Sequence, residues 1–135
     1  MGLTGGCLCG QVRYEITSDP LMCLTCHCKN CQRQAGSAYS VIIGVPEGAL
    51  KVEGEVKTFN DKGDSGGTVQ RQFCPDCGSP LFSLVEASPG LVWVKAGTLD
   101  DTSAIKPSLH VYTKSKQDWV ELGDIPGVET VPSNL

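Results

Sequence analysis

No basic run in the sequence exceeds a residue or two, and the formal net charge is −4. Nucleic acid is therefore excluded as a general partner, because phosphate binding needs a positive patch. No apolar stretch approaches the roughly 20 residues that span a bilayer. The longest, Val41-Ile42-Ile43-Gly44-Val45, is far too short, so no membrane partner is expected. The opening Met1-Gly2-Leu3-Thr4-Gly5-Gly6 lacks the apolar core of a secretory signal, and Gly6 stands where a myristoylation signal wants Ser or Thr. These absences predict a cytoplasmic protein. In that compartment clustered cysteines bind metal or catalyse more often than they form disulfides, which disfavours an eight-cysteine disulfide scaffold.

Sustained 3.6-residue periodicity is also absent, as are repeats and any dividing linker. The chain reads as one domain over residues 1–135, with a loose tail from about 127 to 135. Sixteen glycines and eight prolines point to many turns and short strands. Gln11 to Ile16 alternates, with Val12, Tyr14 and Ile16 on one face and Gln11, Arg13 and Glu15 on the other, as in a half-buried strand. Further strands are expected at Met22–Thr25, Tyr39–Val45, Leu50–Val52, Val56–Phe59, Val69–Phe73, Pro80–Val85, Leu91–Ala96 and Leu109–Thr113. A loop is expected over residues 61–67, and a short packed element over Asp118–Glu121. Only Gln32–Ala35, closed by Gly36, reads as helical. The expectation is all-β.

What the sequence does have is thiols in clusters. Cys26-His27-Cys28-Lys29-Asn30-Cys31 places three cysteines in six residues as C-x-C-x-x-C. Three thiolates so close cannot reach three separate disulfide partners, and sulfur-rich sites favour zinc or iron–sulfur over harder metals. Two more pairs, Cys7-Leu8-Cys9-Gly10 and Cys74-Pro75-Asp76-Cys77-Gly78, each end on a glycine suited to a tight turn. Joined on one ion, Cys7, Cys9, Cys74 and Cys77 make a closed four-thiolate site that ties distant parts of the chain together. For Cys26, Cys28 and Cys31 the spacing leaves alternatives open. Three thiolates leave a tetrahedron one position short, the arrangement of a catalytic zinc. Cys23 could instead supply the fourth ligand and close a second structural site, or lie apart as a small buried hydrophobe.

Three segments together resemble the glutathione-dependent formaldehyde-activating (GFA) family, also called the centromere protein V/GFA domain family. They are G-G-C-x-C-G-x-V-x-Y at Gly5 to Tyr14, C-H-C-x-x-C-x-x-x-x-G-S at Cys26 to Ser37, and F-C-x-x-C-G-S-P-L-F at Phe73 to Phe82. Ala96–Asp100 and Lys106–Tyr112 also look like family segments, while Cys23 stands outside the pattern. The resemblance implies an Mss4-like all-β fold of short antiparallel strands built around a structural zinc. It implies two zincs per chain, one structural on Cys7, Cys9, Cys74 and Cys77 and one catalytic on Cys26, Cys28 and Cys31. It also implies carbon–sulfur lyase chemistry on a small thiol, glutathione or a relative, and an aldehyde such as formaldehyde.

A rival reading is a non-catalytic zinc-binding interaction module on the same fold, since fold does not fix function. Chromatin or microtubule association, suggested by the centromere protein V name, conflicts with the acidic balance and the lack of a basic tail. Around the central cluster, Lys29 and Arg33 would either attract an anionic thiol or be solvated surface. His27 would either relay a proton or be a spacer whose ring points away. His110 is expected to be half-buried in mid-strand, and Trp93 and Trp119 to pack in the core or at its rim.

Overall fold

A computed structural model describes residues 2–63 and 66–131. The first strand, β1 (Leu3–Gly6), was not evident from residue pattern. It pairs antiparallel with β2 (Arg13–Ile16), which pairs in turn with β5 (Leu50–Glu53) to give a three-stranded sheet. Gly5 explains the glycine pair in β1, because a Cβ there would lie 2.4 Å from both the Thr98 carbonyl oxygen and the Tyr14 hydroxyl. The alternation of β2 is as expected, with Val12, Tyr14 and Ile16 buried and Arg13 and Glu15 exposed.

The second sheet has seven strands in the order β10-β3-β4-β9-β8-β7-β6. They are β3 (Met22–Cys26), β4 (Ser40–Pro46), β6 (Lys57–Lys62), β7 (Thr68–Phe73), β8 (Pro80–Val85), β9 (Leu91–Lys95) and β10 (Leu109–Val111). All its pairings are antiparallel except β10 with β3, which is parallel. The main core holds Val12, Tyr14 and Ile16 together with Ile43, Val45, Leu81, Phe82 and Val94. A second cluster, on Leu24, Cys26, Trp93 and Val111, marks the opposite face of the large sheet. Period-two alternation sorts residues between these faces. Along β9, Val92 and Val94 enter the main core while Trp93 joins the second cluster. Gly44 makes room for that indole, since a Cβ there would come within 2.9 Å of it.

Three expectations need correction. The loop over 61–67 begins later than expected: Asp61 and Lys62 belong to β6, an edge strand of polar and charged residues that apolar alternation could not reveal, and residues 64 and 65 lie outside the described residues. The segment from Gly127 is not loose. Val128 N–H donates to His110 O at 2.9 Å, Thr113 N–H to Val128 O at 3.0 Å and Tyr112 N–H to Thr130 O at 2.8 Å, so backbone pairing ties it to β10 and the turn that follows. Residues 132–135 lie outside the described residues. Trp119 is 71% exposed rather than packed in the core or rim, its indole N–H donating to Gln117 Oε1 within the same turn.

Candidate metal centres

The first cysteine group joins the two sheets. Cys7 and Cys9 sit in the loop between β1 and β2, and Cys74 and Cys77 in the turn between β7 and β8. Gly10 and Gly78 adopt φ of +82° and +77°, the left-handed conformation that lets each turn close behind its second cysteine. The four Sγ atoms lie within 4.8 Å of one another. Cys7 and Cys9 sulfurs are 3.6 Å apart, and those of Cys9 and Cys74 3.8 Å. Tetrahedral zinc, with Zn–S near 2.3 Å, sets sulfurs about 3.8 Å apart, so the group fits such an ion. Donors already surround these sulfurs. Val12 N–H reaches Cys7 Sγ at 3.2 Å, and Asp76 N–H and Gln11 Nε2 reach Cys74 Sγ at 3.4 and 3.5 Å. Negative charge is unevenly held among them. The hydroxyl and backbone N–H of Ser79 hold Cys77 down at about 5. The Gln11 backbone lowers Cys9, but burial and its sulfur neighbours push it up to about 12.

The second group lies where β3 leaves the large sheet and turns into the helix α1 (Lys29–Ala35). Cys26 ends β3, and Cys28 is the helix N-cap, its Sγ accepting from Cys31 N–H at 3.3 Å. The helix thus begins three residues before the stretch read as helical, and Gly36, at φ +66°, ends it as expected. The short turn carries the Sγ atoms of Cys26, Cys28 and Cys31 to within 4.8 Å of one another. These spacings also fit a tetrahedral ion, here with three protein sulfurs.

Cys23 is not among them. It is one residue out of phase with Leu24 on β3 and packs into the main core beside Ile43, whereas Leu24 and Cys26 face the other way. Burial pushes its thiol up, as befits a small core hydrophobe.

The three sulfurs open on a cavity of about 590 Å³, whose walls include Arg71, Trp93 and Lys95. Arg71 and Lys95 are each only 6% exposed. Neither was picked out in the sequence, because both sit in strands far from the cluster and only the sheet order brings them to it. Arg71 is held by Asp61, Nε to Oδ2 at 2.9 Å, while Asn30 donates to the same carboxylate oxygen at 3.1 Å. This leaves Arg71 Nη1 3.9 Å from Cys31 Sγ. Contacts with Cys26 and Cys28, followed by the charges of Arg71 and Lys95, hold the Cys31 thiol down at about 2. Cys26 is driven the other way by the same two sulfur neighbours and by burial. One thiolate among three sulfurs is thus already favoured, and a divalent cation would favour the rest. Lys29 reaches the cavity rim from the exposed side of α1, whereas Arg33 lies in a separate shallow groove.

The histidines form a buried chain on the far side of the cluster. Leu122 O can only accept, so His110 Nε2 donates to it at 3.1 Å and His110 Nδ1 is the acceptor. The Thr25 hydroxyl donates to that nitrogen, and its oxygen accepts from His27 Nε2 at 3.1 Å. His27 is fully buried, packs against Tyr39 with ring centroids 4.9 Å apart and planes tilted by 43°, and does not line the cavity. Burial, then His110 and Lys116, push its pKa down, so the neutral ring is favoured. This is the spacer arrangement, with the ring turned to the Thr25 face. Gln32 completes the frame, donating to His27 O at 2.7 Å and to Ser115 O at 3.0 Å.

A β-fold carrying one four-sulfur and one three-sulfur group, each able to hold a metal ion, is thus defined. The family model for glutathione-dependent formaldehyde-activating enzymes matches residues 2–115, and the chain belongs to that family. A protein from Halomonas elongata named for this family is 30% identical over 90% of this chain and 82% of its own length. One from Penicillium rubens is 33% identical over 81% of this chain, which spans 59% of that relative. A crystal structure of a Rhodobacter sphaeroides protein superposes with a TM-score of 0.62 at 19% identity, covering 93% of this chain and 99% of that one, which supports the all-β fold. No helix among the described residues is long and apolar enough to cross a membrane.

Proposed function

We propose that this chain is a zinc-dependent carbon–sulfur lyase of the GFA type, acting on glutathione or a related small thiol and on an aldehyde such as formaldehyde. Cys26, Cys28 and Cys31 would hold the catalytic zinc, and Cys7, Cys9, Cys74 and Cys77 a structural one. A cytoplasmic setting fits this chemistry. The observation that carries the reading is the difference between the two groups: one has four sulfurs, the other three sulfurs at the wall of a large cavity. When bound at the three-sulfur group, zinc would favour the thiolate of an incoming thiol and hold it as a nucleophile.

The protein's own residues supply the rest. Arg71, fixed by Asp61, places positive charge beside Cys31 and offsets the accumulation of negative sulfur. Leu24, Ile42 and Val111 line the cavity with apolar surface, which limits water around the reacting sulfur. The Thr25, His27 and Gln32 contacts fix the turn that sets the three cysteines. In the synthetic direction the sulfur–carbon bond forms, the carbonyl π bond opens, and the proton released by the thiol ends on the former carbonyl oxygen. The reverse direction breaks the same sulfur–carbon bond.

The test is NMR exchange spectroscopy of ¹³C-formaldehyde with glutathione. Zinc-loaded protein should accelerate exchange between free aldehyde and its glutathione adduct, and Cys31→Ser should lose that acceleration. Equal exchange with and without protein would refute the enzymatic reading and leave the interaction module standing.

A further inference from the structure

Lys95 occupies the last position of β9 and is 6% exposed. An ammonium buried to that degree is ordinarily paired with an anion, because an unpaired buried charge is costly. Here its hydrogen bond goes to Ser40 Oγ at 2.6 Å, no carboxylate among the described residues forms an ion pair with it, and the nearby negative charge is that of the Cys26, Cys28 and Cys31 sulfurs. Arg71 contrasts with it: that guanidinium is already committed to Asp61 and Cys31.

The strand register explains where Lys95 faces. It lies opposite Ile42 on β4, which lies opposite Leu24 on β3. Two residues along β4, Ser40 pairs with Cys26. Lys95 therefore shares the cavity face with Trp93, and its amine is steered by a hydroxyl whose strand partner is one of the three clustered cysteines. An ammonium carries three N–H donors and Ser40 takes one, so two remain for a group entering the cavity.

We propose that Lys95, steered by Ser40, seats a carboxylate carried by the thiol that enters this cavity, so that the protein selects anionic thiols over neutral thiols of the same size. The proposal rests on the reading that a thiol enters beside Cys26, Cys28 and Cys31, and it adds what else that thiol must carry. A charge-assisted hydrogen bond in a water-poor cavity is among the stronger polar contacts a small ligand can make.

The experiment is isothermal titration calorimetry of the zinc-loaded full chain, without aldehyde, with zinc content followed by native mass spectrometry. Thioglycolate and 3-mercaptopropionate are compared with 2-mercaptoethanol and 3-mercaptopropanol. Wild type should bind the better-fitting acid at least about tenfold more tightly than its alcohol. Lys95→Met should abolish that preference by weakening the acids markedly more than the alcohols, and Lys95→Arg should restore part of it. Ser40→Ala, which keeps the charge but frees the amine, should lower the preference without abolishing it. Equal affinities in wild type, or a preference that survives Lys95→Met, overturn the proposal. So does an equal loss for acids and alcohols, which would mean that Lys95 merely balances the sulfur charge. In those cases the functional reading stands; if no thiol binds at all, both fail.

Discussion

Cys74→Ala gives the sharpest view of what the four-sulfur group does for the fold. Cys74 is fully buried, its sulfur lies 3.8 Å from that of Cys9, and it accepts from Gln11 and Asp76. Two contributions could be lost on truncation. Removing one buried sulfur from a core costs about 1–2 kcal/mol, near the low end for large-to-small core changes. Losing a structural zinc forfeits far more, since such sites in small zinc-finger peptides supply roughly 10–16 kcal/mol of folding free energy. That is comparable to the entire net stability of a typical domain, about 5–15 kcal/mol. The sequence provides its own control in Cys23, a buried thiol in the same core cluster but in neither sulfur group. Cys23→Ala should therefore melt cooperatively with a modest loss, while Cys74→Ala should show no cooperative transition and carry less zinc. Circular dichroism melts and zinc content measured side by side decide the matter. If Cys74→Ala melts like Cys23→Ala and keeps two zincs, the four-sulfur group is not what holds the sheets together.

Other consequences follow from particular contacts. A colorimetric chelator should take one equivalent of zinc from the three-sulfur group without changing far-ultraviolet circular dichroism, and Cys28→Ser should remove that first equivalent; release only on unfolding would contradict it. Thr25→Val removes the two hydrogen bonds of the bridging hydroxyl and leaves only the longer direct contact, from His27 Nε2 to His110 Nδ1 at 3.3 Å. A loss of about 1–3 kcal/mol is expected in denaturant titrations, together with faster amide exchange over residues 126–130; unchanged values would refute the chain. Asp100 accepts from Arg13 and Thr4, which hold its carboxyl at about 2 against an ordinary 3.8. Its folded pKa is depressed, so its contribution is complete above 3.8 and fades as pH falls through about 2. The stability difference between wild type and Asp100→Asn should shrink across that window, and a constant difference would show that the pair has no such role.

Local signals carried much of the structure. The turns at Gly10 and Gly78, the helix end at Gly36 and the alternation through Val12, Tyr14 and Ile16 all depend on neighbours in sequence, and each stands where expected. The same holds for grouping Cys26, Cys28 and Cys31, which one turn brings together. Arg71 and Lys95 were out of reach for a different reason. Their roles depend on which strands lie beside β3, and the order β10-β3-β4-β9-β8-β7 is set by packing across the whole sheet. Strand β1 was hidden because glycine supplies no alternation, only room for Tyr14 and Thr98 to approach. The segment after Gly127 is bound through backbone groups, which every residue has, so its side chains gave no sign of it. Cys23 was decided by phase alone: one residue's shift along β3 separates a core thiol from a clustered one.

The central claim is that one sulfur group is closed and the other open to a thiol. Native mass spectrometry of the purified protein, alone and with millimolar glutathione, tests it most directly. Two zincs alone, with a glutathione adduct or loss of one zinc on addition, is the predicted result. Two zincs that neither glutathione nor any other small thiol disturbs would contradict it and turn the reading toward a non-catalytic interaction module.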